Sequence, residues 1–196
     1  MLQLLKRKVT TMFTRPHIAM RKYFRRYVLR EIFPLYNENY DDCWGSVDYK
    51  DKVVLDLGAD YGSTAYYFLK HGAKRVVAVE GDPPLASQLL TNYDNHPQVE
   101  CVYGWIDAPK GIEFLIRRYC AHPSCDLAKV DIEGAEKHIA MVDPQWLLSI
   151  REWLIEVHKK EDYVQLVKVF RDLGFRVFDR KYDMVGVHRI IRCVKE

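Results

Sequence analysis

Along residues 52–194, short apolar runs alternate with stretches in which apolar side chains recur every three or four positions. The runs at 52–58 (KVVLDLG), 75–80 (RVVAVE), 99–103, 126–132 (DLAKVDI) and 153–158 (WLIEVH) predict five buried strands. Helical spacing predicts helices at 63–70, 85–93, 111–119, 135–149 with a break near Pro144, and 162–173 closed by Gly174. Two more strands, 176–179 and 187–194, follow with no helix between them and predict a C-terminal antiparallel hairpin. Five β-α repeats plus that hairpin define an α/β fold with a seven-stranded, mainly parallel sheet covered on both faces.

The first fifty residues follow another pattern. Two helical pieces flank Pro16; in the second, Met20, Tyr23, Phe24, Tyr27 and Val28 share one side, opposite Arg21, Lys22, Arg25 and Arg26. Pro34 ends it, and 35–51 read as a polar connection containing Tyr40 and Trp44. The chain therefore divides into a helical N-terminal extension and connector over 1–50 and a principal domain over 51–196.

Charge sharpens this division. Residues 1–30 carry nine Lys or Arg and no acid, whereas 31–196 carry 21 basic against 27 acidic side chains, a net −6 beneath an overall +3. Packing of the arm's aromatic stripe on the body is the structural account of such a segment. Contact with nucleic-acid phosphates or an anionic membrane surface is the functional one. An organellar presequence fits less well, since no serine precedes Ser46. With 48% hydrophobic and 29% charged residues the chain is not a disordered one. No run approaches the roughly 18 apolar residues of a membrane span, and no charge-free apolar stretch resembles a secretory signal. The cysteines (Cys43, Cys101, Cys120, Cys125 and Cys193) are odd in number and irregularly spaced, which suits reduced thiols in a cytoplasmic protein, monomeric or homodimeric.

Ligands of open α/β sheets sit beyond the carboxyl ends of the strands. The first such end reads Asp56-Leu57-Gly58-Ala59-Asp60-Tyr61-Gly62-Ser63, where Gly58 and Gly62 permit a tight turn and close backbone approach to a ligand. The dinucleotide fingerprint G-x-G-x-x-G fails, because Asp60 and Ser63 replace its second and third glycines. A carboxylate at Asp60 repels a pyrophosphate and suits a cationic or neutral ligand. Glu80, followed by Gly81, closes the second strand, where an acid can accept both hydroxyls of a ribose. Acids in place of phosphate donors point to S-adenosyl-L-methionine.

Residues 53–83 (VVLDLGADYGSTAYYFLKHGAKRVVAVEGDP) resemble the cofactor half of a class I S-adenosylmethionine-dependent methyltransferase with a Rossmann-like sheet. With LAKVDIEGAEKHI (127–139) and LIEVH (154–158) the chain is similar to the FkbM family, whose fourth strand ends in K-x-D-x-E-G-x-E, here Lys129, Asp131, Glu133, Gly134 and Glu136. The similarity covers 52–158 well, the C-terminal helix and hairpin in outline, and 1–50 not at all. It implies that the turn of Gly58 and Ala59 cradles the methionine part, with Asp56 and Asp60 near its ammonium. It also implies Glu80 at the ribose and Asp107 near the adenine amino group. Asp131, Glu133 and His158 would face the methyl-transfer site, and the acceptor would be a hydroxyl of a sugar or small molecule. The sequence departs from the family in the short link between the third and fourth strands, where a longer insertion commonly walls the substrate pocket.

Methyl transfer to oxygen needs alignment and removal of one proton. His158 is the first candidate base, because an unperturbed imidazole titrates near neutrality, and Glu133 is the second, needing a pKa raised by burial. Each also has a structural account: a histidine satisfied at a strand end, first-turn acids at Glu133 and Glu136, an N-cap at Asp131, a loop acid at Asp107. Cys120, His122 and Cys125 lack a fourth zinc ligand, and although Asp131 and Glu133 offer hard oxygens to magnesium, the reading calls for no metal. Two alternatives stand beside the hydroxyl methyltransferase. One is an RNA methyltransferase holding phosphates with residues 1–30; the other is a non-catalytic protein that keeps the cofactor fold. The fourth strand lacks the N/D-P-P-Y/F loop of many amino-methylating enzymes, which does not exclude ribose methylation.

Overall fold

The computed structural model describes residues 40–121, 124–181 and 189–196. Seven strands, β1 (Val53–Leu57), β2 (Arg75–Glu80), β3 (Val99–Tyr103), β4 (Leu127–Val130), β5 (Glu152–Val157), β6 (Arg176–Lys181) and β7 (Arg189–Val194), form one sheet. Its order is β3-β2-β1-β4-β5-β7-β6. The first five strands are parallel, and β7 runs antiparallel between β5 and β6. This is the expected Rossmann-like, mainly parallel sheet with its C-terminal antiparallel hairpin. The hairpin folds its second strand inward, so that the apolar β7 is paired on both sides and β6 takes the edge.

Helices α1 (Tyr40–Cys43), α2 (Ser63–Lys70), α3 (Pro83–Asn92), α4 (Pro109–Tyr119), α5 (Pro144–Leu148) and α6 (Lys160–Asp172) surround the sheet, with a 3₁₀ helix at Glu136–Met141. Three start two residues earlier than periodicity predicts, and in α3 a capping carboxylate rather than apolar spacing defines the first turn. Asp82 accepts the Leu85 N–H at the head of α3, and Asp143 accepts the Gln145 N–H at the head of α5, each followed by a proline suited to the first helical position. The break expected near Pro144 separates the 3₁₀ helix from α5. The helical pieces expected over residues 1–34 lie outside the described residues.

Period-two alternation sorts the strand side chains between two apolar layers. Val53, Leu55 and Leu57 of β1 join Ile112 and Ile116 of α4 and Leu166 and Phe170 of α6. Val54 joins Ala65 and Phe68 of α2, Leu89 of α3 and Tyr93. Trp44 and Tyr49 also belong to this second layer, each 1% exposed, with Tyr49 stacked on Phe68 at 4.9 Å. The expected polar connection is therefore corrected over 40–50: Trp44 and Tyr49 bury themselves in the principal domain and Tyr40 packs against that layer partly buried. A second correction concerns the thiols. Cys120 and Cys125 form a disulfide that closes the loop between α4 and β4, while Cys43, Cys101 and Cys193 take no part in a disulfide among the described residues. The loop returns on itself there through the Ala121–Ser124 bridge, bringing the two side chains into reach.

Phe170, fully buried, sets its ring against Trp153 at 5.7 Å and Phe175 at 5.1 Å. Phe170→Ala is expected to destabilise the domain by about 3–5 kcal/mol. A urea titration of both proteins checks this; a loss below about 1 kcal/mol would mean that α6 contributes little to the core.

Candidate active site

The same alternation places charge inside the sheet. Asp56 shares a face with Val54, Lys129 with Leu127, and Glu156 with Leu154. Asp56 and Lys129 are also direct partners in the β1–β4 register. Both side chains are fully buried, and Lys129 Nζ lies 3.2 Å from Asp56 Oδ1, donates to the Gly58 carbonyl at 2.6 Å, and lies 3.6 Å from Asp131 Oδ2. Asp56 Oδ2 accepts the Thr64 hydroxyl at 2.6 Å. Desolvation works against the Lys129 charge, but Asp56 and Asp131 outweigh it and hold its pKa above the ordinary lysine value.

Beyond the ends of β1, β2 and β4 lies a cavity of about 650 Å³, within the usual range for a small-molecule site. Gly58, Asp60, Glu80, Gly81, Asp107, Asp131 and Glu133 line it. The remaining four candidates do not. Asp56 is corrected from ammonium contact to a buried partner of Lys129, because its position in β1 points it at α2. Ala59 is fully buried, its N–H bonded to the Val79 carbonyl. Gly62 serves an internal approach: at φ +99 it caps α2, and a Cβ there would lie 2.2 Å from the Tyr93 ring. Gly58 is likewise required by the fold as well as by the cavity, since a Cβ there would lie 1.7 Å from the Asp131 carbonyl oxygen. His158 stands behind the lining and faces it through Asp131 and Glu133.

Glu80 ties the first two strand ends together. Its carboxylate accepts N–H groups of Asp60 at 2.8 Å, Gly81 at 2.7 Å and Asp82 at 2.7 Å. A carboxylate has about four acceptor positions, so these bonds leave capacity for a ligand hydroxyl. Beside it Trp105, 67% exposed, lies over Gly81, where a Cβ would meet the indole at 2.6 Å. Trp105 is a wall residue that the pattern gave no reason to single out, since it sits in a loop without periodicity.

At the other end of the cavity the two downstream signatures meet. His158 Nδ1 lies 3.1 Å from Glu136 Oε1, and Nε2 lies 3.5 Å from Glu133, 3.7 Å from Glu156 and 3.9 Å from Asp131. The bond to Glu136, against a desolvation cost, and the surrounding carboxylates raise the imidazole pKa to about 9. An imidazole neutral near pH 7, the premise for His158 as general base, is therefore corrected: at that pH it is a cation. Glu136, fully buried, has its own pKa lowered, burial being outweighed by His158 and by backbone donors including the Gly134 N–H. The sequence offers Glu136 as a signature residue with a first-turn acid as its plainer account, gives Lys129 a place in the K-x-D-x-E-G-x-E signature but no role, and gives no reason to single out Glu156. Pairing of adjacent strands brings them together, and linear spacing does not display it. Glu133 has φ +52 and Asp60 φ +52, two non-glycine residues in the left-handed region at the cavity rim. Asp131, Glu156 and His158 offer ligand atoms within 4.8 Å of one another that a metal could use, in competition with the imidazole proton.

No family model matches the chain. It is 27% identical over 127 residues to "uncharacterized protein 158B" of Sulfolobus islandicus rod-shaped virus 1, covering 63% of this chain and 71% of the viral one. It is 26% identical over 129 residues to "uncharacterized protein 65" of Sulfolobus islandicus filamentous virus, covering 60% and 71%. Among solved structures, Aeropyrum pernix fibrillarin with natively bound S-adenosyl-L-methionine superposes with a TM-score of 0.60 at 19% identity, covering 76% of this chain and 69% of that one. The Bacillus subtilis tRNA methyltransferase TrmK gives 0.56 at 14% identity over 76% and 62%. Precorrin-6y C5,15-methyltransferase of Geobacter metallireducens gives 0.53 at 18% identity over 75% and 81%. The fold is thus that of the methyltransferases.

Because the folded-state pKa of His158 stands above its ordinary 6.5, its stabilising contribution is complete below that value and is lost as pH rises through about 9. The stability difference between the wild-type chain and His158→Gln is expected to shrink across that window in urea titrations. A difference constant with pH would show that the imidazole is not held protonated.

Proposed function

We propose that this chain is an S-adenosylmethionine-dependent methyltransferase of FkbM type, acting on a hydroxyl of a sugar or small molecule. The observation that carries the reading is the arrangement of Glu80, Asp60 and Asp131 around one cavity at the carboxyl ends of β1, β2 and β4. Its donor set fits the cofactor. Glu80 offers its remaining acceptor capacity to a ribose hydroxyl, Trp105 and Asp107 offer a flat wall and an acceptor to the adenine, and Asp60 and Asp131 offer negative charge to the ammonium and sulfonium. Asp131 Oδ1 supports this, being buried without a hydrogen-bond partner among the described residues.

When bound, S-adenosylmethionine supplies an electrophilic methyl group. The protein's own task is to orient the acceptor and take its proton. With His158 cationic, that proton passes to a carboxylate, and Glu133 at the rim is the residue we assign; its side chain is 87% exposed, so the burial expected of it from the sequence is corrected. The imidazolium beside Glu133 and Asp131 holds both in place. Glu133→Gln is expected to lower turnover by about 10²–10⁴-fold while cofactor affinity stays unchanged, measured by single-turnover transfer and calorimetry. Equal loss of affinity would place Glu133 in cofactor binding instead.

The deciding experiment is transfer of labelled methyl into host extract fractionated into RNA, protein, glycan, lipid and small-molecule pools, with Glu80→Ala as control. Label in the glycan or small-molecule pool, absent with the variant, supports the hydroxyl reading. The nine cations of residues 1–30, without one acid, favour a second reading in which the acceptor is RNA. For it, label enters the RNA pool and log affinity falls steeply with log salt; a flat salt response overturns it. Cofactor binding without label in any pool would leave the non-catalytic alternative.

A further inference from the structure

Lys129 has no place in the chemistry just described, yet its ammonium touches both halves of the cavity. The β1 turn is held from β2 by the Gly58 and Ala59 N–H groups on the Val79 carbonyl at 3.0 and 2.9 Å, and by the Asp60 N–H on Glu80. Those bonds leave the Gly58 carbonyl to be oriented from the other side, and Lys129 Nζ binds it at 2.6 Å. The same ammonium stands 3.6 Å from Asp131 Oδ2, at the end of its own strand. Trp44, whose ring centroid is 5.3 Å from Nζ, shares the buried layer beneath it.

We infer that Lys129 is a positioning residue for the cofactor cavity, its ammonium locking the Gly58 turn and the Asp131 carboxylate into one geometry. The geometry favours this over simple charge balance for Asp56. A balancing cation needs proximity to one carboxylate, whereas this one spends its shortest contact on a neutral backbone carbonyl that belongs to the cavity lining. A strand-interior lysine is costly to bury unless its donors are satisfied, and all of the described acceptors flank the turn.

The inference rests on the proposed cofactor reading only for its ligand, so its test has a ligand-free arm. Removing both buried charges in Asp56→Asn/Lys129→Met retains an acceptor for Thr64 and avoids stranding a lone charge. The full chain is followed by thermal unfolding, by hydrogen exchange of the peptide covering 58–62, and by calorimetric titration with S-adenosylmethionine. The expected result is a Tm near that of the wild type and exchange accelerated in 58–62 but not in β5, with cofactor affinity reduced about tenfold, as for loss of one charged hydrogen bond. Unchanged exchange in 58–62, or unchanged affinity where the wild type binds, overturns the inference. Where the double variant unfolds, Lys129→Gln, which is neutral yet keeps an N–H donor directed toward the Gly58 carbonyl on a side chain one bond shorter, decides by the same two readouts: exchange and affinity nearer the wild type than in Lys129→Met support positioning, and equal loss in both variants overturns it. Accelerated exchange in a chain whose wild type binds no S-adenosylmethionine would retain the positioning role and overturn the cofactor reading.

Discussion

The organisation of the cavity depends on one buried contact, the Lys129 ammonium between Asp56, the Gly58 carbonyl and Asp131. Charge in the middle of a parallel sheet is expensive, and it persists here because adjacent strands place opposite charges in direct register and a backbone carbonyl takes a further donor. The consequence is geometric. The turn after β1 and the end of β4 cannot shift independently, and the close approach of Gly58 to Asp131 leaves no room for a side chain between them. The two strand ends that flank the cavity floor are therefore fixed against each other by sterics and electrostatics at once.

Around that floor the acids divide by environment. Glu80 is spent largely on backbone donors and acts as a clamp with spare capacity. Glu136 is buried and ionised, and orients an imidazole that its neighbours keep charged. Asp131 and Glu133 remain at the cavity wall. A histidine surrounded by four carboxylates is held toward its protonated form near neutral pH, and for that reason the chemistry proposed here is assigned to a carboxylate.

The fold of the methyltransferases does not name an acceptor, since proteins sharing it here range from fibrillarin to a tRNA methyltransferase and a precorrin enzyme. Specificity lies in what borders the cavity. In this chain the link between β3 and β4 is short and carries α4 with a disulfide-closed loop, and exposed Trp105 stands at the cavity wall. On the reading proposed here, an acceptor would meet a cavity wall of aromatic and acidic character.

The sequence by itself determined the α/β class, the seven strands and the cavity-facing Gly58, Asp60, Glu80, Asp107, Asp131 and Glu133. Apolar periodicity is local, and strand ends are where such a sheet presents its turns. It misjudged what depends on neighbours in space. Asp56 reads as a strand-end acid until β4 places Lys129 against it. Gly62 reads as ligand approach until Tyr93 packs there. His158 reads as a base until Glu133, Glu136, Glu156 and Asp131 are gathered around it. Trp44 and Tyr49 read as connector until α2 covers them. A side chain's protonation, burial and partner are set by residues distant in sequence, so only the tertiary structure decides them, whereas the pattern that builds each strand and helix is written along the chain itself.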